Sequence, residues 1–122
     1  MQYYEQLPPQ CPEAGSEPRP GTVFRLVADP PSNQDFISQR GLMPDCPFNT
    51  SECRAMSVSV FVSIDGARRI QLLPAYQHKI IAQLELDAKS GLLKQTGRDR
   101  GHLSWWRSIH FDHVNCILKV AP

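Results

Sequence analysis

Period-two alternation constrains this chain most. In Ser57-Val-Ser-Val-Phe-Val-Ser63 every second residue is valine. Only an extended strand puts Val58, Val60 and Val62 on one face, and such a face has to be covered. Ser57, Ser59, Phe61 and Ser63 then share the opposite face, where small hydroxyls beside one aromatic suit either a pocket floor or a solvated sheet surface. The pattern recurs over residues 79–87, with Ile80, Ala82, Leu84 and Leu86 inward and Gln83, Glu85 and Asp87 outward. It recurs again over 114–120, with Val114, Cys116, Leu118 and Val120 inward. Residues 22–28 form an earlier strand that stops at Asp29-Pro30-Pro31, and residues 92–95 add a short one after the Lys89-Ser-Gly91 turn.

Two short helices separate these strands. Ser32 with Asp35 three residues on resembles a capping box, and Gly41 supplies a stop, which predicts a helix over 33–40. Asp65 caps a second helix that carries Ala67, Ile70 and Leu73 at helical spacing until Pro74. Residues 41–54 between them form a loop. The order predicts one α+β domain over residues 21–122, built on a mainly antiparallel sheet of at least four strands. Residues 1–20 carry five prolines (Pro8, Pro9, Pro12, Pro18 and Pro20). Proline fixes φ and removes a donor, so this segment is an extended arm, disordered or draped on the domain. Tyr3, Tyr4 and Leu7 are its anchors, to the body or to a protein partner.

At 41% apolar and 20% charged residues, the composition is that of a globular protein. A formal charge of +1 gives no bulk attraction to nucleic acid or membrane, so any attraction comes from a local patch. No apolar run approaches the roughly 20 residues of a membrane span. With no signal-like start, the expected location is cytoplasmic, with reduced thiols. Cys11, Cys46, Cys53 and Cys116 match no zinc spacing and are expected free; Cys46 and Cys53 are the favoured pair if a disulfide forms.

Residues 95–113 concentrate the unusual side chains: Trp105 and Trp106, His102, His110 and His113, and Arg98, Arg100 and Arg107. The stretch reads as a loop built to touch a ligand. From 89 to 107, five Lys/Arg residues (89, 94, 98, 100, 107) face one acid, Asp99, a balance of 5 − 1 = +4. Arginine forks match phosphate, and tryptophan faces stack on bases. A nucleotide or nucleic-acid contact through residues 94–107 follows, unless the indoles are core anchors. His102, His110 and His113 are candidates for acid–base work. His110-Phe-Asp-His113 has no recognised ligand spacing, and no metal site is assigned. Arg25 shares its strand face with Val23 and Val27, so it is either paired with a carboxylate or held for an anion.

One resemblance adds to this reading. A strand carrying arginine (Thr22-Val-Phe-Arg25-Leu-Val27) precedes a helix and a Gly41-Leu42-Met-Pro44 segment. A strand ending Val60-Phe-Val-Ser63 follows, then at once a helix with Ala67. This layout, over residues 21–75, resembles small ADP-ribosyltransferase-like domains, including toxins of toxin–antitoxin systems. The resemblance implies an NAD-handling transferase. Arg25 would hold the cofactor, Ser63 (or Ser59) would lie in the pocket, and Trp105 and Arg100 would join them from the later stretch. The family's late-strand glutamate is missing, since no glutamate follows Glu85, and His102 and Asp112 stand as catalytic candidates in its place. The alternative is a non-catalytic module that grips a protein or nucleic acid through the 94–107 stretch and the arm.

Overall fold

The computed structural model describes residues 1–122. Six strands form one antiparallel sheet: β1 (Gly21–Val27), β2 (Val58–Phe61), β3 (Ile80–Leu86), β4 (Gly91–Gln95), β5 (His102–Arg107) and β6 (Ile117–Ala121). Their order is β4-β5-β2-β1-β3-β6. Four short helices accompany them: α1 (Gln39–Leu42), α2 (Glu52–Ala55), α3 (Ile64–Gln71) and α4 (His113–Cys116). This is the α+β architecture with a mainly antiparallel sheet that the alternation implies. No helix is long and apolar enough to cross a membrane.

Both faces of the sheet are covered. On one, Val23, Val27, Val58, Val60, Ala82 and Leu84 meet Phe36, Trp105 and Phe111. Trp105 and Phe111 pack edge to face with centroids 4.7 Å apart, a contact worth about 1 kcal/mol beyond area burial. On the other face, Leu26, Phe61 and Ile81 lie under Ala67 of α3. Gly66 lets the helix approach, because a Cβ there would sit 2.9 Å from the Phe61 ring. Gly91 begins β4 at φ +130°, where a Cβ would collide with the Trp106 carbonyl.

Several sequence expectations change in detail. The helix expected over 33–40 is a 3-10 turn (Asn33–Phe36) and then α1, broken at Ile37, whose backbone is extended. The break occurs because Ser38 starts a second cap, its hydroxyl accepting from Gly41 N–H. Gly41 therefore lies inside α1 and does not end the first helix. The cap of α3 is Ser63, not Asp65. Val62 leaves the core face because β2 ends at Phe61, and its N–H donates to Gly101 O. Residues 114–120 do not form one continuous strand. The first part is α4, capped by Asp112, and Val114, Leu118 and Val120 are exposed.

The thiol expectation is corrected too. Cys11 and Cys53 form a disulfide, while Cys46 and Cys116 are free. The pairing follows from the path of residues 1–20 along the domain. Tyr3 bridges to Ser108 and Glu17 to Leu93, and the Glu5 carboxylate accepts from Ser38. Glu13 pairs with Arg54 at 2.7 Å and with Lys94 at 3.3 Å.

Candidate functional site

A gap in the sheet makes the site. β1 and β2 pair only at Phe24 and Phe61, although both strands extend further. Arg25 fills the opening. Its Nε donates to Asp35 O (2.8 Å) and its Nη1 to Ser59 O (2.6 Å). Arg25 thus binds two backbone carbonyls and not the carboxylate partner weighed from the sequence, and its Nη2 is left without an intramolecular acceptor. The residue is half-buried, with two of its guanidinium nitrogens engaged by backbone carbonyls. Desolvation, opposed by the Asp35 charge, lowers its pKa to about 10.

In front of this gap lies a cleft of about 770 Å³. Its polar wall carries Arg25, Arg54, Lys79, Arg98 and His102, and its one carboxylate is Asp99. Arg54 is neutralised by its ion pair with Glu13, so Arg25, Lys79 and Arg98 are the cations left to face Asp99, and the lining stays net positive. Asp99 is itself occupied. Its carboxylate accepts from Gly101 N–H at 2.8 Å and from Arg69 at 3.1 Å. Those bonds, the backbone one foremost, hold it below the ordinary carboxylate range. Tyr76 is the partly exposed aromatic of the lining, beside aliphatic side chains such as Leu26 and Ile70, while Phe61 is buried beneath α3.

On the floor, β2 and β5 set Ser59 opposite Ser104 and Phe61 opposite His102. Ser59 Oγ lies 2.8 Å from His102 Nε2. His102 Nδ1 lies 3.0 Å from Thr96 O and 3.2 Å from Thr96 Oγ1. A carbonyl oxygen only accepts, so Nδ1 carries the imidazole proton. Nε2 therefore presents its lone pair, and the Ser59 hydroxyl donates to it. Thr96 Oγ1 accepts on its imidazole side and shares a hydrogen bond with Ser104 Oγ, 2.7 Å away.

Of the residues singled out from the sequence, Arg25, Ser59, Arg98 and His102 line this cleft. Ser63 does not: its hydroxyl caps α3. Trp105 is fully buried, with its indole N–H on Ser90 O, so it faces no ligand. Arg100 is exposed on the loop outside the lining. Asp112 caps α4, accepting from Val114 N–H at 3.0 Å, and is also outside the cleft. His113 stacks on Phe36, and His110 is exposed. Trp106 is buried as well, so the 94–107 stretch offers no indole for base stacking. Tyr4 is engaged within the domain, its ring 3.9 Å beneath the Arg107 guanidinium.

Thr96, Ser104, Lys79, Tyr76 and Asp99 belong to the site but were not singled out. No polarity alternation marked Ser104, because Leu103 to Arg107 are all buried. Comparison with protein families, curated proteins and solved structures returns no match.

Proposed function

We propose that the cleft binds a phosphate-bearing nucleotide, with NAD as the ligand implied by the resemblance to ADP-ribosyltransferase-like domains. The observation that carries this reading is the concave space joining Arg25 to His102, with three cations free of carboxylate partners (Arg25, Lys79 and Arg98) and its one carboxylate already engaged. Arg98 and the free side of Arg25 suit phosphate oxygens, and Tyr76 suits a base or nicotinamide ring. Ser59, the alternative pocket serine of the resemblance, sits where a ribose hydroxyl or phosphate would meet it.

ADP-ribosyl transfer within this reading lacks its usual glutamate. Glu85 is exposed on β3 and accepts from Thr22, so any acid–base work falls to His102. A toxin or effector role in the cytoplasm is the cellular form of the proposal, and growth arrest on expression would support it. The Cys11–Cys53 bond weighs against a reducing compartment. Thiol counting after rapid alkylation in cells decides that point.

The test is calorimetric titration of the full chain with NAD and with 5′-AMP. Arg98→Ala is the matched variant, since Arg98 lines the cleft and makes no hydrogen bond of its own. Saturable binding that this variant weakens at least about tenfold, roughly 1.4 kcal/mol, supports the reading. Equal affinity in the variant removes the cleft assignment.

A further inference from the structure

We infer that Ser59 and His102 form a nucleophile–base pair that hydrolyses the phosphoester of a bound nucleoside monophosphate. The inference rests on nucleotide binding in the cleft and does not need ADP-ribosyl transfer. Its geometry is that of an activated hydroxyl: nucleophile within hydrogen-bond reach of a base, and base fixed by a third group. Ser59 Oγ to His102 Nε2 is 2.8 Å, and the third group is the Thr96 carbonyl, 3.0 Å from Nδ1. The carbonyl selects the tautomer, as a carboxylate does in other triads. It also stabilises the imidazolium that forms when Nε2 takes a proton.

The surrounding charge selects the electrophile. A phosphoryl transition state spreads negative charge over three equatorial oxygens, and catalysis is mainly positioning and cationic stabilisation. Here Arg25 Nη1 sits on the carbonyl of the nucleophilic residue itself, 2.6 Å from Ser59 O. Arg54, Arg98 and Lys79 surround the same space.

The reaction balances with water as the only co-reactant. Ser59 Oγ attacks phosphorus as its proton passes to His102 Nε2. The P–O bond to the nucleoside breaks on the side of phosphorus opposite Ser59, the leaving oxygen takes a proton from water, and His102 returns its own proton to the hydroxide so formed. Water, deprotonated by His102, then attacks the phosphoserine. Its P–Oγ bond breaks, Oγ recovers the proton, and inorganic phosphate leaves.

A sheet-surface contact between a serine and a histidine would look similar at rest, so the test reads the covalent step. The full chain is incubated with 5′-AMP and quenched in acid; intact-mass and peptide spectrometry then locate any phosphoryl group, while released phosphate is counted. The expected result is a phosphoryl group on Ser59 and steady phosphate release. Ser59→Ala abolishes both, and His102→Gln slows release at least about 100-fold. Both variants should stay folded, shown by a cooperative thermal transition, and should still bind 5′-AMP saturably, so that loss of the adduct is read at saturating nucleotide. Wild-type protein that binds 5′-AMP but gives neither adduct nor phosphate overturns the inference and leaves nucleotide binding standing. Failure to bind 5′-AMP at all overturns both. Phosphate release that survives Ser59→Ala assigns the activity to other residues and also overturns it.

Discussion

The Ser59 hydroxyl donates to His102 Nε2 across 2.8 Å, although the two residues lie 43 positions apart. Their meeting depends on the antiparallel register of β2 and β5, which sets Val60 opposite Leu103. The contact also fixes the imidazole, because the Thr96 carbonyl on the far side can only accept. The expected outcome is a neutral His102 in the Nδ1–H form. Long-range proton–nitrogen spectra of labelled protein at mildly alkaline pH report this directly. A proton on Nε2 would contradict the hydrogen-bond directions assigned here.

Arg25 is a structural residue as well as a wall of the cleft. Arg25→Ala leaves the carbonyls of Asp35 and Ser59 without their donor. A loss of roughly 1–3 kcal/mol is expected, the usual cost of partly buried polar groups left unpaired. Arg25→Lys should recover only part of it, because an ammonium cannot reproduce the fork. Chemical denaturation measures both. An unchanged midpoint for Arg25→Ala would show that the gap between β1 and β2 closes without it.

Glu13 ties residues 1–20 to the cleft rim, and its stabilisation depends on pH. Hydrogen bonding from Arg54 first, with help from Lys94, lowers its pKa below the ordinary carboxylate value. A carboxylate with a depressed folded pKa contributes fully above its unfolded value, and the contribution disappears as pH falls through the folded one. Thermal midpoints from neutral to acid pH should therefore fall less steeply for Glu13→Gln than for the parent. Parallel curves would remove the ion pair from the stability account. Because Arg54 also lines the cleft, the same variant should bind nucleotide more tightly.

The Cys11–Cys53 bond closes a loop with a sequence separation of 42, for which chain entropy gives roughly 4 kcal/mol. Cys11→Ser should lower stability by an amount of that order, whereas Cys46→Ser, at a free thiol, should be nearly neutral. Equal effects would contradict the pairing.

Much of the sheet was legible because β2 and β3 keep exposed or half-exposed positions (Ser59, Gln83 and Glu85) between their buried ones. Val58 and Val60 and the series Ala82, Leu84 and Leu86 announce their strands and inner faces directly. β5 was hidden for a physical reason. Leu103, Ser104, Trp105, Trp106 and Arg107 are all buried, and a strand covered on both faces has no polarity alternation to read. Its arginine, histidine and tryptophans therefore suggested an exposed ligand loop. Trp105 instead packs in the core, where truncation to alanine should cost about 3–5 kcal/mol. The cysteine pairing and the Ser59–His102 contact depend on the path of residues 1–20 and on strand register. No local pattern encodes either.

The central claim is that the cleft between Arg25 and His102 takes a nucleotide. Tryptophan emission is a poor reporter, since both indoles are buried away from the cleft. Calorimetric titration of the full chain with NAD and 5′-AMP is the most direct measurement. The account expects saturable binding that Arg98→Ala weakens about tenfold or more without moving the thermal midpoint. Absence of heat with either nucleotide at millimolar concentration, in protein shown to be folded, would contradict it.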